Sequence, residues 1–370
     1  MDTQIISRVR NIMDRSGLNN SDFAAAIAAT PDKLSKSLGG SRRFTTTELA
    51  LVAELGDTTV EWLLTGKERR APSMAARTSA ISAPDASTID SIARRFTEAS
   101  EQLRVLRDDA RSLSPLPVVA SNWSAVYQGE QLAAEAHDLI RQAGRTLSAG
   151  NDLIPTIEAV FDVDVAVTEM PGGLDGCAWQ TDEQRLIIAN KTARWARQRF
   201  TLAHELGHIL ACDAQELISE AMHASSSRLT EMRANAFAAS FLVPEAEILP
   251  LVTEPVTQVD FMGLVNLFRV SPKSMAFRLK NLRKLDDNLV NQWGSLTAEQ
   301  CAAASGHPEI IAEEANKSDV DRLPPRLVSE HVRLFWEGKA SARPLASLLN
   351  VDPNFVIQEL RPVMKVESRG

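Results

Sequence analysis

Residues 199–210 read RFTLAHELGHIL and contain the pattern H-E-x-x-H, formed by His204, Glu205 and His208. The apolar spacing around the pattern predicts a helix, and residues four apart lie on one face of a helix. Both imidazoles can therefore direct a nitrogen at one metal ion, while Glu205 can serve as general base for a hydrolytic water. The alternative is a packed helix that merely carries two histidines, although the chain has only 6 histidines and a chance occurrence of the pattern is rare.

A catalytic zinc ion needs a third protein ligand and one position left open for water. The sixth residue after His208 is Ala214 and not a histidine, which excludes the metzincin pattern. Cys212 continues the same apolar stripe, but it lies about 12 Å along the helix from His204 at about 1.5 Å per residue. Zinc bonds are only about 2.0–2.3 Å long, so we expect Cys212 to be a small core residue.

The next predicted long helix, LTEMRANAFAASFLVP at residues 229–244, offers a better third ligand in Glu231. Glu231 and Asn235 are four residues apart and share a face. Glu231 would complete a His-His-Glu set, and Asn235 would form a hydrogen bond with a ligand. Two alternatives stay open: Glu231 as a solvated carboxylate in the first turn of its helix, and His223 as the third ligand.

Residues 4–66 are predicted to form short helices, with capping residues before them and glycines after them. The helices SDFAAAIA (21–28) and PDKLSKSL (31–38) are joined by a short turn, which is the spacing of a helix-turn-helix. Its second helix would enter the major groove of double-stranded DNA, with Lys33, Ser35 and Lys36 near the bases and Arg42 and Arg43 near the phosphates. The stretch and its ending, VEWLLTGKE, resemble the XRE (lambda-repressor-like) family. The alternative is a small helical bundle used for protein contacts.

The whole chain has 370 residues, a length that suggests two or three domains. Its net charge of -8 argues against nucleic-acid binding along the whole length, although a local basic patch suffices for one DNA-reading module. The three cysteines are scattered, which predicts neither a disulfide framework nor a Cys-based zinc site. No apolar run reaches the roughly 20 residues of a membrane span, and the N-terminus lacks the layout of a secretion signal. We therefore expect a cytoplasmic protein with no membrane partner.

Residues 71–121 are predicted to be a linker followed by a short helix. Residues 71–87 are rich in Pro, Ser, Ala and Thr, as linkers are. The helix then carries a heptad seam of apolar residues three and four apart: Ile89, Ile92, Phe96, Ala99, Leu103, Leu106, Ala110 and Leu113. The seam predicts either a short coiled coil that makes a homodimer, as two DNA half-sites would require, or one helix lying on a neighbouring domain.

The rest of the chain falls into three predicted segments. Residues 122–255 contain a long helix, the strand VDVAVTEM, a hairpin of DGCAWQ and RLIIAN, and the two helices of the metal pattern. Residues 256–288 form a small helix-turn-helix-like unit, and residues 289–370 form a C-terminal helical region. The predicted fold class is therefore multidomain and mainly α, with an all-α helix-turn-helix domain at residues 1–70 and a central α+β domain.

One resemblance covers about residues 125–285. RFTLAHELGHIL, followed by E-x-x-A-N-x-F-A-A from Glu231 onward and by LVP, is similar to the ImmA/IrrE family of metallopeptidases. The resemblance implies a gluzincin-like zinc peptidase fold in which His204, His208 and Glu231 bind zinc and Glu205 is the base. The family often shows an apolar run and another histidine after the position of His208, whereas ILACDAQ follows here. The surroundings of the ligands therefore stay open.

Members of the resembling family are linked to repressors, which they cleave or inactivate, and two functions follow for a chain that carries its own DNA-reading unit. In the first, a DNA-binding transcriptional regulator has a zinc metallopeptidase domain that cleaves its own linker or a partner regulator. Tyr127 and His223 are the candidate oxyanion donors of that reaction. In the second, the zinc domain is non-catalytic and the protein is the antitoxin of a toxin–antitoxin operon, with the toxin as its partner.

Overall fold

The computed structural model describes residues 3–56, 58, 60–66, 83–106, 113–117, 123–147, 153–181, 183–213 and 224–360. The chain divides into two compact units, Met1–Ala71 and Pro72–Gly370. The described part is mainly helical and has one three-stranded sheet, which confirms the predicted mainly α class. None of the described helices is long and apolar enough to cross a membrane.

The first unit is a bundle of short helices: α1 (Thr3–Ser16), α2 (Asn20–Ala26), α3 (Pro31–Leu38), α4 (Thr46–Leu55) and α5 (Val60–Thr65). Side-chain oxygens of Asn19 and Thr30 accept from the first free backbone N–H groups of α2 and α3, and Thr45 and Glu48 form a capping box at α4. The inward faces meet in one small core, which includes Phe23, Ile27, Leu34, Val52 and Leu63.

The second unit begins with α6 (Ala83–Leu106), α7 (Ala125–Gln142), α8 (Leu153–Phe161), β1 (Val163–Thr168), β2 (Gly176–Gln180), β3 (Arg185–Asn190), α9 (Trp195–Leu210) and α10 (Ala224–Leu242). It continues with α11 (Glu245–Ile248), α12 (Gln258–Phe268), α13 (Pro272–Asn281), α14 (Asp287–Gly294), α15 (Ala298–Ala304), α16 (Glu309–Ser318), α17 (Pro325–Trp336), α18 (Ala342–Leu349) and α19 (Pro353–Glu359). Short 3-10 turns lie at Pro171–Gly173 and Leu249–Leu251.

The sheet has the strand order β1-β3-β2, with β1 parallel to β3 and β2 antiparallel to it. The predicted strand and the predicted hairpin are therefore confirmed. Asn190 donates its backbone N–H to Asp175, and Thr181 donates to Gln184, so the odd-numbered residues of β2 pair with β3. Because hydrogen-bonding direction alternates along a strand, the backbone groups of the even-numbered residues of β2 point to the edge that carries no further described strand.

Two hydrophobic layers cover the two faces of the sheet. On one face, side chains that include Val165, Ala178 and Ile187 share a large core with α7, α9, α10 and the helices that follow them. On the other face, side chains that include Cys177, Trp179 and Ile188 pack with α6, α17 and α18. The sheet therefore separates α9, the helix of the metal pattern, from the helix that carries the heptad seam.

The heptad seam is buried inside its own chain. Ile89, Phe96, Ala99 and Leu103 lie in the core on the α6 side of the sheet, while Leu106 is exposed. Of the two alternatives, the structure shows the helix lying on its neighbouring domain. A homodimer stays a prediction, and it would have to use another surface than this seam. The seam position Ala110 lies outside the described residues.

The large core is continuous across the predicted segment borders at 255/256 and 288/289. It contains Phe241 before the first border, Leu279 between the two, and Trp293 and Cys301 after the second. The helix-turn-helix-like pair at 256–288 is α12 and α13, whose turn contains Arg269 in the left-handed region at φ 52. This pair packs into the second unit and adds to the same core as α9 and α10.

Candidate metal centre

His204, Glu205 and His208 are buried residues of α9. At most 1% of the surface of each residue is exposed. Apolar residues on every side of α9 bury it between the sheet and α10. Gly207 allows the close approach of α10, because a Cβ atom there would lie 2.9 Å from Cδ1 of Phe237. Burying ionisable groups is costly unless they are paired or bind a cation, so the burial of these three side chains favours a metal site over packing alone.

The structure brings Glu231 of α10 to the two histidines, as the sequence predicts. Nε2 of His204 lies 3.1 Å from Nε2 of His208 and 3.4 Å from Oε2 of Glu231. Nε2 of His208 lies 3.3 Å from Oε1 of Glu231. The three side chains form a group whose potential ligand atoms all lie within 4.8 Å of one another.

This geometry fits a tetrahedral ion. Two ligand atoms held by bonds of about 2.0–2.1 Å at tetrahedral angles are about 3.3 Å apart, and the three separations in the group are close to that value. Two imidazoles and one carboxylate are also the donors of catalytic zinc sites that keep one position open. The side chain of Glu231 is 33% exposed, so the group reaches solvent on the carboxylate side.

The electrostatics of the group favour a cation. Burial raises the pKa of Glu231, but the adjacent His204 and His208 outweigh burial and lower that pKa well below its usual range. Burial likewise lowers the pKa of His208, but the carboxylates of Asp213 and Glu231 raise it to about 10. The two carboxylates that favour a positive charge on His208 would equally favour a bound divalent cation.

Strand β2 lies directly beside Glu205. A Cβ atom on Gly176 would meet Cγ2 of Thr201 at 2.6 Å, the carbonyl oxygen of Ile188 at 3.0 Å and Cγ of Glu205 at 3.6 Å. Only glycine allows this approach of the strand to α9. The sequence did not single out Gly176. A glycine at the start of a short apolar strand could have indicated it, since such a glycine often marks a close approach to another element.

Several predicted residues lie elsewhere. Asn235 is exposed on α10 and is not one of the three side chains of the metal group, so its predicted hydrogen bond with a ligand stays a prediction. Its spacing gives it the face of Glu231 but places it about 6 Å further along the helix axis. Cys212 lies in the turn after α9 at φ 57 and is not part of the metal group, but it is exposed, so its expected place in the core is wrong.

The structure describes one of the two candidate oxyanion donors. Tyr127 is 43% exposed on α7 and its ring packs edge-on against Trp123, with 4.6 Å between the ring centroids. His223 lies outside the described residues. Asp213 and Arg233, which sequence analysis did not single out, are the polar residues that adjoin His208.

In the first unit, Lys33, Ser35, Lys36 and Arg43 are exposed, as a nucleic-acid surface requires. Lys36 forms an ion pair with Asp32 at 2.7 Å on the solvent side of α3. Arg42 differs from the others because its guanidinium donates to Ser37 and, with both terminal nitrogens, to Glu48. Arg42 therefore has a structural partner, and the DNA contacts of this unit stay a prediction.

Comparison with known proteins finds a family model that matches the part of the chain around the centre. Residues 162–280 match the peptidase family described as IrrE N-terminal-like domain. The chain is also 30% identical over 149 residues to the radiation response metalloprotease IrrE of Deinococcus radiodurans. That alignment covers 39% of this chain and 44% of the relative, so the chain spans less than half of the curated relative. The peptidase part of the predicted resemblance is confirmed, and the N-terminal unit lies outside the matched residues.

Proposed function

We propose that this protein is a DNA-binding transcriptional regulator whose second unit is a zinc metallopeptidase that cleaves the protein itself or a partner regulator. The observation that carries the proposal is the buried Glu205 next to a His204–His208–Glu231 group with the spacing of a tetrahedral site. The IrrE N-terminal-like match over residues 162–280 supports the peptidase class. Zinc is the expected ion because two imidazoles and one carboxylate are typical ligands of catalytic zinc.

The residues of the group divide the work of peptide hydrolysis. His204, His208 and Glu231 would hold the ion, which when bound supplies a Lewis acid that polarises a peptide carbonyl and acidifies water. Glu205 follows the ligand His204 on α9 and is fully buried, and its carboxylate would accept the proton of the hydrolytic water. The same carboxyl group would then deliver the proton to the leaving amine.

The substrate we expect is an extended peptide that adds to the edge of the sheet. The backbone groups of Gly176, Ala178 and Gln180 point to the outer edge of β2, and main-chain hydrogen bonds to such an edge bind extended peptides. Gly176 brings this edge against Thr201 and Glu205 of α9. A peptide paired with β2 would therefore present its backbone near the general base.

The link to transcription rests on the first unit. The helices α2 and α3 are joined by a short turn, and the solvent face of α3 carries Lys33, Ser35 and Lys36. Residues 71–82 of the predicted linker, which we take as a substrate of self-cleavage, lie outside the described residues, whereas residues 83–87 belong to α6. Cleavage there would detach the DNA-reading unit from the peptidase unit and thereby change repression.

A comparison of the wild-type chain with Glu205→Gln tests the proposal. Each zinc-loaded protein is incubated alone and with an extract of its host, and new protein N-termini are labelled and sequenced by mass spectrometry. We expect a defined set of cleavage sites that requires the wild-type chain and disappears with Glu205→Gln or a chelator. Glu205→Gln should still bind zinc, because it leaves the three ligands in place. Identical N-termini from both proteins would refute the proposed enzyme.

Identical N-termini from the wild-type chain and Glu205→Gln would favour the second function, a non-catalytic zinc-domain repressor that acts as an antitoxin. The fused first unit is the feature that supports it. A promoter-shift assay on the DNA upstream of its own operon addresses both functions, because both require operator binding. Lys33→Ala and Lys36→Ala should weaken the shift, while Lys339→Ala, an exposed lysine of the second unit, should not.

A further inference from the structure

Asp213 adjoins the metal group from the side opposite to Glu231. Its Oδ2 lies 3.4 Å from Nδ1 of His208, while Nε2 of the same ring faces Glu231 at 3.3 Å. The side chain of Asp213 is 14% exposed. The two nitrogens of one imidazole thus face two carboxylates, one from the metal group and one from the turn that ends α9.

Arg233 of α10 fixes the carboxylate of Asp213. Its Nη2 donates to Oδ1 of Asp213, which leaves Oδ2 directed at His208. Its Nη1 donates to Oε1 of Gln128 at 2.9 Å, and Nε2 of Gln128 donates to the carbonyl of Trp123 at 3.0 Å. One guanidinium therefore ties together the end of α9, the N-terminal half of α10 and the start of α7.

We propose that Asp213, held by Arg233, is a positioning residue that sets the tautomer and orientation of His208 for zinc binding. The inference rests on the proposed zinc site. At 3.4 Å the contact between Asp213 and His208 is at an ion-pair distance and is not a hydrogen bond. A carboxylate that faces Nδ1 favours the proton on that nitrogen, which leaves the lone pair on Nε2, the atom that faces His204 and Glu231. Asp213 touches His208 and not the ion, so its effect on the metal is transmitted through the imidazole.

The hydrogen bonds of Arg233 to Asp213 and Gln128 also determine where Glu231 lies. Arg233 is two residues from Glu231 on α10, and its bonds to Asp213 and Gln128 fix the position of α10 relative to α9 and α7. Gly129 shows how closely α7 and α10 pack, because a Cβ atom there would lie 2.3 Å from the carbonyl oxygen of Arg233. Loss of these hydrogen bonds would therefore loosen both His208 and Glu231.

The test measures the zinc affinity of the full chain by competition with a fluorescent chelator. We expect Asp213→Ala to weaken zinc binding about 10–100-fold, the usual effect of removing the partner of a ligand histidine. Asp213→Asn should weaken it less, because an amide oxygen in the same place can still face Nδ1 but carries no charge. The visible spectrum of the Co²⁺-substituted chain should change with Asp213→Ala, since it reports the coordination geometry.

Glu158→Gln is the matched control. Glu158 pairs with Arg322 at 2.7 Å and the pair is 20% and 25% exposed, but it lies on α8 away from the metal group. If the pair of Asp213 and Arg233 were purely structural, Asp213→Ala and Glu158→Gln would both lower the melting temperature and leave the zinc affinity unchanged. Zinc affinity and Co²⁺ spectra of Asp213→Ala and Asp213→Asn equal to wild type would overturn the inference. If Asp213→Ala does not fold, Asp213→Asn alone decides, and a wild-type chain that binds no zinc refutes the proposed function as well.

Discussion

At the scale of single residues, the candidate site combines buried ligands with one open side. His204 and His208 are almost fully buried, whereas the Glu231 side chain is one-third exposed. Burial keeps the imidazoles in fixed orientations, and the exposed carboxylate leaves a route for an ion and a peptide. This asymmetry matches a catalytic centre better than a closed structural site, in which protein ligands fill all four positions.

Gly176 gives the first prediction at this scale. Gly176→Ala should push β2 away from Thr201 and Glu205, because the added Cβ would lie 2.6 Å from Cγ2 of Thr201 and 3.0 Å from a backbone oxygen. We expect cleavage of any verified substrate to fall about 10–100-fold through misplacement of the peptide, with zinc affinity unchanged. Gly263→Ala is the control, because a Cβ there meets no atom within 4 Å. Cleavage at the wild-type rate would show that peptides do not bind along β2.

The pair of Arg42 and Glu48 predicts a pH dependence of the first unit. Burial raises the pKa of Glu48, but hydrogen bonds from Arg42 and Thr45 outweigh it and lower the pKa below 4.5. A carboxyl group with a lowered folded pKa stabilises the fold above its unfolded pKa, and that contribution is lost as the pH falls through the folded value. We therefore expect the stability of this unit to decline below about pH 4.5.

Hydrogen exchange of peptides from α3 and α4, corrected for intrinsic rates, measures this effect. Glu48→Gln should cost about 1–3 kcal/mol near pH 7, since it removes a charged, partly buried hydrogen-bond acceptor. The variant should also lose most of the pH dependence below pH 4.5 seen in the wild-type unit. An equal acid response of the two proteins would assign the effect to other carboxyl groups.

At the scale of elements, α6 shows that a heptad pattern specifies an apolar face and not its partner. The three-and-four spacing is the same for a helix in a coiled coil and for a helix on a sheet. Here Phe96 and its neighbours of the seam pack against the face of β2 and β3 opposite to α9. The choice between the two partners depends on tertiary contacts with α17 and α18, which local spacing does not encode.

Phe96→Ala tests this placement. Phe96 is fully buried, so the substitution should lower the free energy of unfolding of the second unit by about 3–5 kcal/mol. Val105→Ala is the control on the same helix, because Val105 is 75% exposed and its truncation should change stability by less than about 0.5 kcal/mol. Chemical denaturation and light scattering of both variants measure the outcome. A dimer that dissociates in Phe96→Ala without loss of unit stability would instead favour the coiled coil.

At the scale of the whole molecule, the charge is divided unequally between the two units. Residues 1–71 contain ten basic and nine acidic residues, so the net negative charge belongs to residues 72–370. A nearly neutral first unit with a local basic face on α3 is compatible with operator binding. The acidic second unit is not expected to bind DNA along its surface, which suits a role in metal binding and peptide hydrolysis.

The metal group was predictable from sequence because the positions of its ligands follow from residue spacing within two helices. His204 and His208 share a helix, and the periodicity of α10 identifies the face that carries Glu231. Helix periodicity does not reveal how far along α10 the contact with α9 extends, so it cannot decide whether Asn235 also reaches a ligand. Asp213, Arg233 and Gly176 were missed for a related reason, since their roles depend on how the turn after α9, α7 and β2 pack around the site.

The metal content of the purified chain beside Glu231→Ala tests the zinc site itself. We expect about one zinc ion per wild-type chain. We expect Glu231→Ala to stay folded by circular dichroism but to lose zinc during dialysis, because one of three ligands is gone. A wild-type chain without bound metal after zinc loading would refute the zinc site. Equal zinc retention by the two proteins would refute it too, because three side chains from α9 and α10 would then not form the site.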